Sequence, residues 1–378
     1  MSENHYDVIV VGVGGMGSAA AYHLARTGQK VLGLERYDIP HAMGSSHGIN
    51  RIIRMAYFED PSYVPLLQRS YELWEELEEA SGERLLVITG GIDAAPADHP
   101  VFRDSRESCR RYGLDHEVLT GAEVNERFSG YHLPDDHMAV FQPGGGYVMS
   151  ERAIVAHVNG AVAAGAEIHG REAVVDWSAT DDGVSVTSER SEYTADRLVV
   201  TAGAWSMGLL DYLDGLAVPE RQALAWFQPL ESDRYRPDTF PIFNLEVEEG
   251  HLYGFPVETI PGFKIGLYHH LFEDVDPDTM NREPTPEDEA VLRQVTERYF
   301  PWAAGPTLSL KTCMFTNTPD EHFVIDKHPE FDQVVVAAGF SGHGFKFASV
   351  VGEILSELST DEATRHDISL LRSARLAS

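Results

Sequence analysis

Residues 7–17, D-V-I-V-V-G-V-G-G-M-G, restrict the fold more than any other stretch of this chain. The apolar run reads as a short buried strand, and S-A-A-A-Y-H-L-A-R-T as a helix that Gly28 ends. K-V-L-G-L-E supplies a second strand, so the chain opens as a βαβ unit with parallel strands. The glycines at the joint, Gly12-x-Gly14-x-x-Gly17, stand where a dinucleotide fingerprint requires them, after a strand and at the start of a helix. Gly12 permits the tight turn, Gly14 lets the backbone approach a pyrophosphate, and Gly17 lets the helix pack on the strand. The helix N-terminus adds free N–H groups and a partial positive charge. Glu35 ends the second strand, 18 residues after Gly17, where an acid binds ribose hydroxyls.

The rest of the chain decides between NAD and FAD. Strand–glycine–helix joints return at T-A-G-A-W (201–205) and A-A-G-F-S-G-H-G-F-K (337–346). Such returns suit a long, extended cofactor threading through the protein, which favours FAD over the compact block of an NAD enzyme. With 378 residues, two domains sharing one interface are expected. Residues 61–80, 151–165 and 286–299 read as helices; 84–147 and 221–317 are otherwise strand-rich, with one helix in the arginine-rich 101–112. The expected architecture is α/β. A Rossmann-like FAD-binding domain is built from segments 1–83, 148–220 and 320–378. A substrate domain of mainly antiparallel or mixed β-sheet is built from 84–147 and 221–319.

Composition narrows the setting. No apolar run approaches membrane-spanning length, M-S-E-N-H-Y-D-V-I-V-V carries no secretory pattern, and two cysteines make no disulfide framework, so a cytoplasmic protein is expected. Sixty acids against 29 bases give a formal net charge of −31, which argues against nucleic acid and anionic membranes as partners. Only five lysines occur: Lys30, Lys264, Lys311, Lys327 and Lys346. Self-repulsion at this charge implies a salt-rich cytoplasm, as in a halophile. It also implies that a retained lysine has a specific task.

Several segments together resemble the family of monomeric sarcosine oxidase and N-methyltryptophan oxidase, within the glycine-oxidase-like FAD enzymes. They are the opening strand and glycine turn, G-S-S-H-G-I-N-R-I-I-R, L-Y-G-F-P, G-F-K-I-G, D-P-D-T-M-N-R-E, C-M-F-T-N-T-P-D-E-H-F-V-I-D and G-F-S-G-H-G-F-K-F-A-S-V-V-G-E. The resemblance spans nearly the whole chain. It implies a glutathione-reductase-type FAD fold, like D-amino acid oxidase, in a monomer. It also implies FAD tethered through an 8α-S-cysteinyl bond to Cys313. Cys109 has no such context and is read as structural or exposed. The implied cofactor contacts are Gly12, Val13, Gly14, Gly15, Met16, Gly17, Glu35, Arg36, Ser45, Ser46, Arg51, Val174, Ala202, Gly203, Trp205, Cys313, Met314, Phe340, Gly342, Gly344, Phe345 and Lys346.

The same resemblance assigns the chemistry. Arg51 and Arg54, three apart in N-R-I-I-R, would share one side of a helical turn if that segment is helical. Arg54, with Lys346, would anchor a substrate carboxylate through its planar fork. Arg51 would lie near the flavin. Lys264, inside an apolar strand pattern, would contact flavin N5 through water and activate oxygen. His47 and Tyr253 match positions near the ring. His269 and His270 read as loop without a metal, and His322 as a structural hydrogen-bonding residue. Two departures bear on the substrate: Asn244 stands where the family carries an apolar residue, and K-I-G-L-Y-H-H is one residue longer than the usual run. The expected function is oxidation of a secondary amino acid, N-methyl or cyclic, by O2, giving an imine and H2O2. The alternatives are a glycine or D-amino acid oxidase, a dehydrogenase with another electron acceptor, and a flavin-holding sensor.

Overall fold

The computed structural model describes residues 4–260, 262–361 and 363–377. The opening strand His5–Val11 lies between Val31–Leu34 and Glu192–Val200, parallel to both. Glu167–His169 and Val334–Ala338 extend this parallel sheet on either side. The runs Val8–Val11, Val31–Leu34, Leu198–Val200 and Val334–Ala338 are buried on both faces, as continuous apolar runs demand. Val8, Val10, Val199 and Val335 pack with the helices Gly15–Arg26, Ser150–Ala163 and Ala348–Thr360. Ile9, Val11, Leu198 and Val336 face the other way, toward Val184 and Val186 of an antiparallel hairpin. The carboxyl ends of the parallel strands share one edge, where open α/β sheets bind ligands.

A second sheet of nine strands draws on residues 91–142 and 218–317. Its period-two pattern separates two faces. Ile92, Ala94, Ala225, Phe243, Leu252, Phe263 and Ile265 pack with Leu292, Val295 and Tyr299 of the helix Pro286–Tyr299. On the opposite face, Asp93, Asn244, Tyr253 and Gly266 stand in one row across four strands. Lys264 lies between Phe255 and Trp226, and Cys313 lies opposite Gln222. Asp93, Asn244, Tyr253, Lys264 and Cys313 therefore share the face turned away from the apolar core.

A small third sheet joins Asn50–Ile53, Gly146–Met149 and Leu86–Ile88. Arg51 therefore lies in a strand, not a helical turn: β-branched Ile52 and Ile53 pair with Tyr147 and Gly146. Alternation sends Arg51 and Arg54 to different places. The strand-rich 84–147 also holds a second, short helix, Gly121–Arg127. Thr120 and Glu123 start it with a capping box, a signal present in the sequence as T-G-A-E. Among the described residues, no helix is long and apolar enough to cross a membrane.

Candidate active site

A cavity of about 360 Å³ opens at the carboxyl edge of the parallel sheet. The three fingerprint glycines meet it in different ways. Gly12 has φ +85°, and a Cβ there would come 2.5 Å from Thr201 O. A Cβ on Gly14 would have no described atom within 4 Å, because it would enter the cavity. Gly17 lies behind the wall, where a Cβ would come 1.8 Å from Gly12 O. Glu35 reaches the cavity while accepting bonds from Val13 N and Tyr37 N, each at 2.9 Å. Val13, Gly15, Met16, Arg36, Ser45, Ser46, Arg51, Val174, Ala202, Gly203, Trp205, Met314, Phe340, Gly342, Gly344 and Phe345 also line it. A glycine cradle at a helix N-terminus, an acid at one end and an arginine at the other form a donor set that fits FAD.

The wall includes residues that had been given no role. Asp278 accepts from Arg36 Nη1 and from Trp205 Nε1, both at 2.8 Å, and so ties three chain segments together at the Glu35 end. It lies within D-P-D-T-M-N-R-E, so the segment was marked although the residue was not. Tyr37, His41, Thr201 and Phe315 also line the wall; Thr201 and Phe315 fall in segments quoted above, whereas no local pattern distinguishes Tyr37 and His41.

At the other end Cys313 stands just behind the wall. Its Sγ is 3.8 Å from Arg51 Nη2 and 3.7 Å from Ser45 O, and both residues line the cavity. Cys109 is buried elsewhere beside Phe102 and Val140, and burial pushes its thiol up to about 12. Tyr253 packs into the cluster around Cys313, Leu224 and Trp226. Gly266 makes room for it, since a Cβ there would come 2.4 Å from the Tyr253 ring. His47 is buried with no described partner for either ring nitrogen. Burial, then Arg51, pushes its pKa down to about 3.

Lys264 is 2% exposed, and its Nζ donates to Gly48 O and Asn50 O at 2.8 Å and to Asn50 Oδ1 at 2.9 Å. Burial pushes its pKa well down, and Arg51 adds to that. Three acceptors and no described donor around Nζ nevertheless favour the ammonium, because a neutral amine would turn its lone pair toward one of them.

Arg54 and Lys346 converge beside Tyr57. The Arg54 guanidinium carbon is 4.5 Å from the Tyr57 ring centre and the Lys346 Nζ 5.3 Å from it. Arg54 binds Ala56 O and both oxygens of Glu59, and its Nε lies 3.6 Å from Asp93 Oδ1. Lys346 donates to His343 O at 2.6 Å; burial, and then Arg54, pushes it down to about 7. Asn244 does not stand alone on this face, because its Nδ2 donates to Asp93 Oδ1 at 2.8 Å.

In the longer run, Tyr268 is the residue that turns inward. Its ring lies 5.2 Å from those of Tyr253 and Phe315. His269 points to Glu220 at 2.7 Å and Glu321 at 3.3 Å, and these two bonds raise it to about 10. His270 binds Asp288 at 3.0 Å, and His322 meets Tyr63 OH at 3.2 Å.

The model of the FAD dependent oxidoreductase family matches residues 7–358. The chain is 44% identical to a monomeric sarcosine oxidase from Bacillus sp. (strain NS-129) over 371 residues, covering 97% of this chain and 96% of that one. It is 34% identical to an N-methyl-L-tryptophan oxidase from Yersinia pestis (strain Pestoides F), covering 98% and 99%. Among solved structures it resembles the open form of NikD, an unusual amino acid oxidase essential for nikkomycin biosynthesis. The TM-score is 0.84 at 26% identity, covering 98% of this chain and 97% of that one. The chain belongs to the FAD dependent oxidoreductases and, within them, to the family that holds monomeric sarcosine oxidase and N-methyl-L-tryptophan oxidase.

Proposed function

We propose that this protein oxidises a secondary amino acid, N-methyl or cyclic, with O2 as electron acceptor. The carrying observation is the convergence of Arg54 and Lys346, two buried basic groups, on the Tyr57 ring, with Lys346 directly following the cavity-lining Gly344 and Phe345 in the chain. A carboxylate is an anion that a planar guanidinium and a nearby ammonium hold well. FAD, when bound, supplies the two-electron acceptor for the C–N bond next to the amine and passes the electrons on to O2. Gly12, Gly14, Gly15 and the helix that follows would hold its phosphates, Glu35 its ribose, and Cys313 its ring.

The side chains supply the rest. Arg54 and Lys346 fix the substrate's acid end, which orients the amine and its neighbouring carbon. Tyr253, Tyr268 and Phe315 exclude water from the same space. Lys264 holds a positive charge beside Asn50, which supports oxygen reduction. Free cysteines and a reducing cytoplasm fit this reading.

Purified holoenzyme with N-methylglycine, N-methyltryptophan and proline-like amines tests it. The expected result is one H2O2 and one imine-derived product per amine consumed. Anaerobic amine that leaves the yellow colour unbleached across the panel would refute the reading.

A further inference from the structure

The sheet face that carries Cys313 and Lys264 continues past Tyr253 to a polar end, and that end touches the carboxylate anchor. Asp93 is 3% exposed. Its Oδ1 takes Asn244 Nδ2 at 2.8 Å and lies 3.6 Å from Arg54 Nε, and its Oδ2 takes Ser105 Oγ at 2.8 Å. The Arg54 Nε itself has no hydrogen-bond partner among the described residues. Asp93 fixes which way the Asn244 amide points, with nitrogen toward the carboxylate and oxygen toward His251 Nε2 at 3.5 Å. His251 is held in turn by Glu246 at 3.2 Å. Its ring packs 4.9 Å from Tyr268 and 5.5 Å from Phe58, and Phe58 lies 4.2 Å from the Arg54 guanidinium. Asn244, His251, Tyr268, Phe58 and Arg54 are thus joined in one chain of contacts.

Asn244 is 3% exposed, yet its second N–H has no partner among the described residues, and its oxygen has only the long contact to His251. A buried donor and acceptor left unmade cost free energy that a ligand recovers by pairing them. The cofactor takes the Cys313 end of this face. A substrate gripped by Arg54 would have Asn244 as a buried polar neighbour, because both side chains approach Asp93 Oδ1.

We propose that Asn244, oriented by Asp93 and backed by His251, selects a secondary amino acid whose side chain ends in a hydroxyl or carboxamide. Such a group offers one donor and one acceptor, the complement of what Asn244 leaves open. N-methylglycine and aliphatic N-methyl amino acids leave both unpaired. This rests on the amine-oxidase reading above and adds the substrate's side chain to it.

Steady-state kinetics on the holoenzyme test it with N-methylserine and N-methylasparagine against their apolar counterparts, N-methylalanine and N-methylleucine. The polar member of each pair should show a kcat/KM higher by about tenfold or more, the scale of one buried hydrogen bond. Asn244→Leu should erase that ratio, mainly through KM. A ratio near one in the unaltered enzyme, which needs no variant, overturns the proposal; so does a ratio that Asn244→Leu leaves unchanged. Oxidation of N-methylglycine alone would sink this inference and leave the oxidase reading standing. If none of the amines bleaches the flavin, both fall.

Discussion

Glu59 and Arg54 grip each other beneath the surface: both Glu59 oxygens lie 2.8 Å from Arg54 Nη2, and the arginine side chain is 4% exposed. Burial pushes the Glu59 carboxyl up, but Arg54 outweighs it and holds the group at about 2. At neutral pH an internal carboxylate therefore occupies the guanidinium that, on the proposed reading, would hold a substrate carboxylate. Glu59→Gln should tighten binding of a simple carboxylate such as acetate by about tenfold, the scale of one charge-assisted bond. Titration of the flavin spectrum reads this directly. The same change should cost less stability than the about 3–5 kcal/mol of a broken buried pair, because Asp93 stays 3.6 Å from Nε. Unaltered affinity would show that Glu59 does not compete.

Lys346 should give the proposed site a pH dependence. Burial and Arg54 push its pKa down to about 7 from the ordinary lysine value. The ammonium attracts a carboxylate, and a bound carboxylate raises the Lys346 pKa. Carboxylate affinity should therefore be flat below about pH 7 and fall as pH rises through it, by up to about tenfold per unit. Glu59 and His343, held at about 2 and about 4, keep constant charge across this window. Lys346→Met should weaken binding at pH 6 by about tenfold or more and flatten the profile. A slope that survives the substitution belongs to another group.

How much of this was legible in the sequence follows from how local each signal is. The Gly12–Gly17 turn, the capped helix Pro286–Tyr299 and the apolar strands were legible because their chemistry lies within a few neighbouring residues. Arg51 and Arg54 would share one side of a turn only if their segment were helical; pairing to Gly146–Met149, distant in the chain, makes Arg51 part of a strand instead. Asn244 was visible as a departure, but its partner Asp93 lies 151 positions away on a parallel neighbour and carried no pattern of its own. Glu59 passed as one acid among sixty. Tyr268 was hidden by the extra residue in its run, which leaves the inward position to be decided by the strand's alternation rather than by the histidines beside it.

Cys313 lies 3.7 Å from Ser45 O at the cavity wall, and Arg51 faces its sulfur. Acid precipitation of the holoenzyme should leave the yellow colour in the pellet. Cys313→Ser should release it into the supernatant, while Cys109→Ser should change nothing in this assay. Colour free in solution from the unaltered protein would exclude the covalent bond.

On the proposed reading, Lys264 should separate the two halves of the reaction. Its ammonium is fixed by Gly48 O, Asn50 O and Asn50 Oδ1, away from Arg54 and Lys346. Lys264→Met should slow reoxidation by O2 about a hundredfold, the scale of losing one preorganised electrostatic group, and slow anaerobic reduction by substrate far less. Stopped-flow absorbance resolves the two steps. Equal losses in both would assign Lys264 to substrate binding or to folding instead.

The net charge of −31 should make stability depend on salt in a specific direction. Many acids lie on the surface: Glu72 and Glu76 share the single cation Arg69, and Glu248 and Glu249 share Arg298. Repulsion among such groups acts over several ångströms through water. The screening length falls from about 10 Å at 0.1 M salt to about 3 Å at 1 M. The exposed pairs gain little at low salt, so screening removes more repulsion than attraction. The buried Arg54–Glu59 and Arg221–Asp288 pairs are screened much less. The melting temperature should therefore climb from low salt to molar KCl. KCl is the right salt because sulfate would also strengthen apolar burial and blur the cause. A melting temperature that stays flat or falls over that range would mean that the acidic surface is already balanced locally, and that no salt-rich cytoplasm is needed to explain it.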